Sequence, residues 1–302
     1  MEAYPLSGVE LKLERARAHL ETLEDAYSAF CDRDPLTISM RYEDREYPVL
    51  IRDDSGEERQ ERRTHEYAVF RLHIKEHPPP AWSVIIGDCL QNARAALEHL
   101  AWRLAYTEQG GMGPNAYTSF PIYAKRREYR KMEEGPRSKV QQMAEPVREA
   151  IKCVQPYQRE ADAWLDLLWI LNELARVDRH QVLHVAVAII EGEQVYFGAV
   201  PGTRGGGPYL APANISDELY ERISRRDRQP STPEDGAEVA TVASRHPAQP
   251  HTRWTTGFEA VYFTVFSESE AKITSGLPVI ETLQRILRHI ETEVLPLFRK
   301  YF

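Results

Sequence analysis

WSVIIGDCLQNARAALEHLAWRLAY, residues 82–106, reads as one long helix that is apolar around most of its circumference, as expected of a central helix in a bundle. Inside that apolar surround it carries Arg94 and, five residues later, His99. A second segment, ELARVDRHQVLH at 173–184, repeats the spacing with Arg179 and His184. It closes a stretch, Trp164 to His184, that reads as a second long helix. A buried cation beside a titratable imidazole costs several kcal/mol unless partners satisfy it. Two such pairs therefore suggest one shared polar network or one shared site.

On an ideal helix a step of seven or eleven residues returns to within about 20° of its start. Asp88, Asn92 and His99 form one such stripe, and Glu173, His180 and His184 another, each expected to face inward if the two helices are neighbours. A step of five lies about 140° away, so Arg94 and Arg179 leave from flanking positions and must bend round to meet His99 and His184.

The surrounding pattern mixes helix and strand. Leu11, Leu13, Ala16, Leu20, Leu23, Ala26, Tyr27 and Phe30 recur at helical steps after Ser7, a candidate cap, and make 8–31 amphipathic. Tyr47–Arg52 and the alternation through Ala68, Phe70, Leu72 and Ile74 read as strands around the polar loop DDSGEERQER. Pro78, Pro79 and Pro80 end them. A helix is expected over 138–153, a linker at 154–158, a hairpin from 185–190 and 195–200, a strand at 258–267 and a closing helix at 277–298. Gly, Pro, Arg and Ser dominate 201–250, so a flexible excursion is expected there, interrupted by short elements near 215–224 and 237–244. This order predicts a single α+β domain over residues 1–302, a helical bundle packed on an antiparallel sheet.

Composition narrows the partners. With 46 acidic against 38 basic residues the net charge is -8, which argues against coating duplex DNA or an anionic membrane by bulk electrostatics. The three cysteines, Cys31, Cys89 and Cys153, are odd in number and far apart, so neither a disulfide framework nor a thiolate cluster is indicated, and a reducing cytoplasm is the expected setting. No apolar run approaches the roughly 20 residues needed to span a bilayer.

Arg-x4-His is the motif of the HEPN ribonucleases, and NARAALEH resembles their active-site helix, while RHQVLH fits the pattern further because the polar His180 follows Arg179. Ala95 departs from that pattern, and Gln91 adds nothing catalytic to it. The resemblance implies a HEPN-like helical core in which two motifs meet within a chain or across a homodimer and cleave RNA without metal. His99 and His184 would handle the 2'-hydroxyl and leaving-group protons. Arg94 and Arg179 would stabilise the scissile phosphate, and Asp88, Asn92, Glu98, Glu173, Asp178 and His180 would orient them. Imidazole titrates near neutrality and guanidinium makes two-pronged bonds to phosphate, so the chemistry is sound. Over residues 68–190 the spacings GDxxxNxRxxxxH and ExxxxDRHxxxH also resemble a widespread bacterial family with no assigned activity.

Two other readings stand beside an RNA- or nucleotide-processing enzyme. His180 and His184 at the i, i+4 spacing, completed by Glu173, Asp88 and His99, would suit zinc or non-haem iron on a helix; Gln181 occupies the place of the catalytic Glu in HExxH and disfavours protease chemistry. Alternatively the same side chains form a structural network in a non-catalytic binding or scaffold protein, because buried polar groups can serve only to fix helix register.

Overall fold

The computed structural model describes residues 6–52, 58–191, 196–197, 209–212, 217–225, 232–243, 256–257, 259–267, 274 and 276–302. In chain order these form α1 (Ser7–Cys31), β1 (Leu36–Arg52), β2 (Glu58–Ile74), α2 (Ala81–Glu108), α3 (Arg126–Glu133), α4 (Glu145–Cys153), a 3-10 segment (Pro156–Leu165), α5 (Leu167–Asp178), β3 (Val185–Glu191), β4 (Tyr196–Phe197), β5 (Tyr209–Pro212), α6 (Asp217–Ser224), β6 (Glu238–Ala243), β7 (Thr256–Gly257), β8 (Glu259–Phe266), α7 (Val279–His289) and α8 (Leu295–Phe298). A π-helical turn, Ile290–Val294, joins α7 to α8. The fold is α+β.

The bundle is built on α1 and α2. Val9, Leu13, Ala16, Leu20, Leu23 and Phe30 are buried at alternating four- and three-residue steps, the spacing of a knobs-into-holes seam. Ser7 begins this helix and does not cap it: Leu6 holds the cap position, with its carbonyl accepting from Val9 and Glu10 N–H. At the far end Trp82 of α2 packs edge-on against Phe30 at 5.4 Å, while His99 lies beside Gly8, so the two helices run antiparallel. Along α2 the buried set Ile86, Cys89, Leu90, Ala93, Ala96, Leu97, Leu100, Ala101, Leu104 and Ala105 covers most of the circumference, which is why this segment reads as central. Leu283, Ile286, Leu287 and Ile290 of the last helical run complete the core.

The sheets flank the bundle in the orders β1-β2-β6 and β3-β8-β5, with β4 paired to β7. All pairings are antiparallel except β5 with β8. The hairpin β1-β2 is far longer than its apolar stretches suggest, in register from Leu36↔Ile74 to Arg52↔Glu58. Of the expected hairpin between 185–190 and 195–200, residues 192–195 and 198–200 lie outside the described residues; among the described ones β3 pairs with β8, and β4 with β7. α6 and β6 fall where the two short elements near 215–224 and 237–244 were expected, and most of the rest of 201–250 lies outside the described residues. The charged stretch before Arg137 contains α3, and α4 starts at Glu145, later than the expected 138.

The second long helix is shorter at both ends than the sequence suggests. Asp166 caps α5, its carboxylate accepting from Leu168 N–H at 2.9 Å. At the other end His180 and Gln181 N–H both turn back to the Val177 carbonyl, and Leu183 is buried with its carbonyl held by the Ser83 hydroxyl at 2.5 Å. That anchor draws the chain away from the helix axis, so RHQVLH is a turn that leads into β3. His180 and His184 consequently do not share a helical face.

At Gly87, α2 lies against the Asp178 carboxylate at the end of α5. A Cβ there would lie 2.1 Å from Asp178 Oδ1, and Gln91 Nε2 donates to both the Ala175 carbonyl and Asp178 Oδ2 at 2.9 Å. Helix-interior Gly→Ala normally stabilises by roughly 0.5–1 kcal/mol. Gly87→Ala is instead expected to destabilise by about 1–3 kcal/mol through overpacking, and to become neutral or stabilising in an Asp178→Ala background. Urea unfolding of the four proteins of that cycle checks both signs.

Candidate anion-binding cleft between the two helices

The face that α2 turns towards α5 is Gly87, Gln91, Arg94, Ala95 and Glu98, at helical steps. The stripe of Asp88, Asn92 and His99 points elsewhere. Asn92 Oδ1 accepts from Lys12 of α1 at 3.3 Å, its Nδ2 donates to the Asp88 carbonyl, and His99 is exposed beside Gly8. The inward stripe is thus the one that carries Arg94, and the five-residue offset leaves His99 outside it.

Arg94 is held by a three-way clamp. Its Nη2 donates to the Phe120 carbonyl at 2.8 Å and lies 2.7 Å from Glu98 Oε1, while Glu98 Oε2 accepts from Phe120 N–H at 3.0 Å. The same connection is fastened further along, where Gln155 donates to the Pro121 carbonyl and accepts from Tyr123 N–H. Ser119 N–H then donates to the Lys139 carbonyl at 3.3 Å, which sets Lys139 beside the clamp. Arg179, the first residue after α5, donates through Nε to the Ala175 carbonyl at 3.2 Å.

These residues line a cleft of about 390 Å³ bounded by Gln91, Arg94, Ala95, Glu98, Ser119, Lys139, Asn172 and Arg179. Its electrostatics are unbalanced. Arg94 Nη1 is buried without a hydrogen-bond partner, and among the described residues Lys139 Nζ has no hydrogen-bond or ion-pair partner; it lies 5.4 Å from the centre of the Tyr123 ring. Burial lowers the pKa of Arg94; Glu98 opposes that effect and the charge of Arg179 adds to it. Burial likewise lowers Lys139, with Arg94 adding to the shift and Glu98 opposing it. Three mutually repelling cations with uncommitted donors therefore converge on one solvent-reached cleft. That is the environment of an anion site, since an unsatisfied buried donor costs about 1–3 kcal/mol.

The two arginines expected to share a site do so; the two histidines do not. His184 is exposed at the entry to β3, its carbonyl accepting from Ser267 N–H. His180 lines a separate cleft of about 380 Å³ with Asp88, Asp178, Ser83 and Val84. Glu173 is ion-paired with Arg176 at 3.1 Å. The zinc or iron alternative loses its geometric basis: His180 and His184 sit on a turn, His99 faces α1, and among the described residues no three His, Cys, Asp or Glu side chains form a metal-binding group. Burial also pushes the Cys89 thiol up to about 12, which keeps it protonated.

Sequence reasoning missed Gly87, Gln91, Lys139, Ser119 and Asn172. A glycine inside a long helix costs about 1 kcal/mol against alanine, so Gly87 did carry a signal of close approach. Lys139 carried none, because a carbonyl contact to Ser119 brings it in. If the cleft takes anions, the Lys139 ammonium titrates below the ordinary lysine range in anion-free buffer and moves back up when sodium sulfate is added; 15N-detected NMR of the ammonium measures both values, and no response to sulfate would contradict the assignment.

No helix among the described residues is long and apolar enough to cross a membrane. No family model, no curated protein and no solved structure matches this chain.

Proposed function

We propose that the cleft between α2 and α5 binds the phosphate of a nucleotide or of RNA, with Arg94, Lys139 and Arg179 as its ligands. The observation that carries this reading is the convergence of three cations, Arg94, Lys139 and Arg179, on one cavity lined by a single carboxylate, Glu98. Guanidinium groups match phosphate oxygens in pairs, and an ammonium serves as a point charge beside them. The cavity, about 390 Å³, falls in the usual range for small-molecule sites. The pairing of Arg94 with Arg179 also supports the RNA- or nucleotide-directed chemistry that the HEPN-like resemblance implies. In a single chain, however, neither His99 nor His184 lines the cleft, and Glu98 is engaged by Arg94 and Phe120 N–H. Among the described residues no uncommitted general base lines the cleft, so the reading is recognition and not scission.

Lys139→Ala and Arg179→Ala are expected to keep the native melting temperature within a few degrees and to weaken binding of AMP and of a short single-stranded RNA by about 10- to 100-fold each, the value of one charge-assisted hydrogen bond. Isothermal titration calorimetry at fixed salt measures it. Unchanged affinity in both variants removes the cleft from the function.

A second reading, scission across a homodimer, rests on the outer stripe of α2. Val84 and Trp102 are 66% and 42% exposed there, with Asp88 and His99 between them. Antiparallel pairing of two such stripes about a point between Asn92 and Ala95 sets Asp88 of each copy opposite His99 of the other, the self-complementarity that a two-fold interface needs. It requires a dimer in sedimentation equilibrium that Trp102→Glu dissociates, and RNA cleavage in chelator that is lost in His99→Ala. A monomeric wild-type protein eliminates it.

A further inference from the structure

We infer that the cleft selects a phosphate monoester dianion, a terminal phosphate, over the diester of an internal linkage; this rests on the phosphate-site reading above. Two observations carry it. The charged side chains facing the cleft are Arg94 and Glu98 from α2, Lys139 from the segment between α3 and α4, and Arg179 after α5. Glu98 is locked to Arg94 and to Phe120 N–H, so its single negative charge offsets one of three positive ones and leaves two. A diester carries one negative charge at neutral pH, whereas a monoester, with its second pKa at about 6, approaches two.

The donor inventory points the same way. Arg94 has Nη2 committed to Phe120 and Glu98 and Nη1 buried, so it acts on the cleft through its charge. Arg179 has Nε committed to the Ala175 carbonyl and offers its two terminal nitrogens. Lys139 offers Nζ, whose nearest cation-accepting contact is the Tyr123 ring. The two terminal nitrogens of Arg179 and Lys139 Nζ thus supply three donors for the three terminal oxygens of a monoester, with the Arg94 charge beside them. A diester has two such oxygens and one negative charge, so it would leave one donor to water and one of the two net positive charges uncompensated.

The ligand class follows from this chemistry, and it has two sources: the 5'-phosphate of a free nucleotide and the 5'-phosphate at an RNA end. The test is titration calorimetry of the full chain, in phosphate-free buffer at pH 5 and pH 7.5, with AMP, its methyl phosphodiester, and a hexanucleotide RNA bearing either a 5'-phosphate or a 5'-hydroxyl. At pH 7.5 AMP is expected to bind about tenfold or more tightly than its methyl ester, as for one additional charge-assisted bond. The gap should close at pH 5, where the monoester becomes a monoanion while the arginines and Lys139 keep their charge. Lys139→Ala should close it at pH 7.5 as well. Tighter binding of 5'-phosphorylated RNA than of AMP identifies an RNA end, and the reverse identifies a free nucleotide. A methyl ester or 5'-hydroxyl RNA that binds as tightly as its phosphomonoester counterpart overturns the selectivity while leaving the phosphate site standing. Absence of binding by all four overturns both.

Discussion

The approach of α2 to α5 at Gly87 is the constraint on which the site depends. A Cβ there would collide with the Asp178 carboxylate where it now stands, so any larger residue must push that carboxylate, and the Gln91 contact it makes, out of place. Once closed, Gln91 reaches across to Ala175 and Asp178, sharing the Ala175 carbonyl at the end of α5 with Arg179 Nε. The contact fixes the rotation of α2 as well as its distance. With Gln91 facing α5, helical geometry brings Arg94 and Glu98 to the same side and carries His99 round towards α1.

Much of the fold was legible because its signals are local. α1 and α2 follow from apolar periodicity, β8 from alternation, and α6 and β6 from short patterned runs inside a polar stretch. The errors have one physical origin, which is that tertiary contacts end or extend elements against local pattern. α5 stops at Asp178 although the apolar spacing continues, because Leu183 is buried and Ser83 holds its carbonyl. β1 and β2 run through charged residues, held in register by their ladder and by ion pairs of Glu43 with Arg45 and Arg71 that no apolar count would find. At the site, the two arginines were readable as a repeated spacing. Lys139 was not, since its place comes from a loop fastened by Glu98 at Phe120 and by Gln155 at Tyr123.

The electrostatics fit a site that is poised when empty. The chain as a whole carries a net charge of -8, so its field does not gather polyanions, and affinity must come from the local group of cations. Burial and mutual repulsion lower both Arg94 and Lys139. An anion in the cleft would relieve that repulsion. The separation of the imidazoles from the guanidinium groups matters equally, because phosphate recognition needs only the latter, whereas scission needs a proton acceptor beside the bound phosphate.

Anomalous diffraction from crystals of the protein grown with selenate, a tetrahedral dianion in place of phosphate, tests the central claim most directly. The account requires a selenium peak in the cleft beside the Arg94 guanidinium, with oxygens within hydrogen-bonding distance of Lys139 and Arg179. A cleft without that peak, in crystals whose lattice leaves it open and at a selenate concentration that occupies other surface sites, would contradict it.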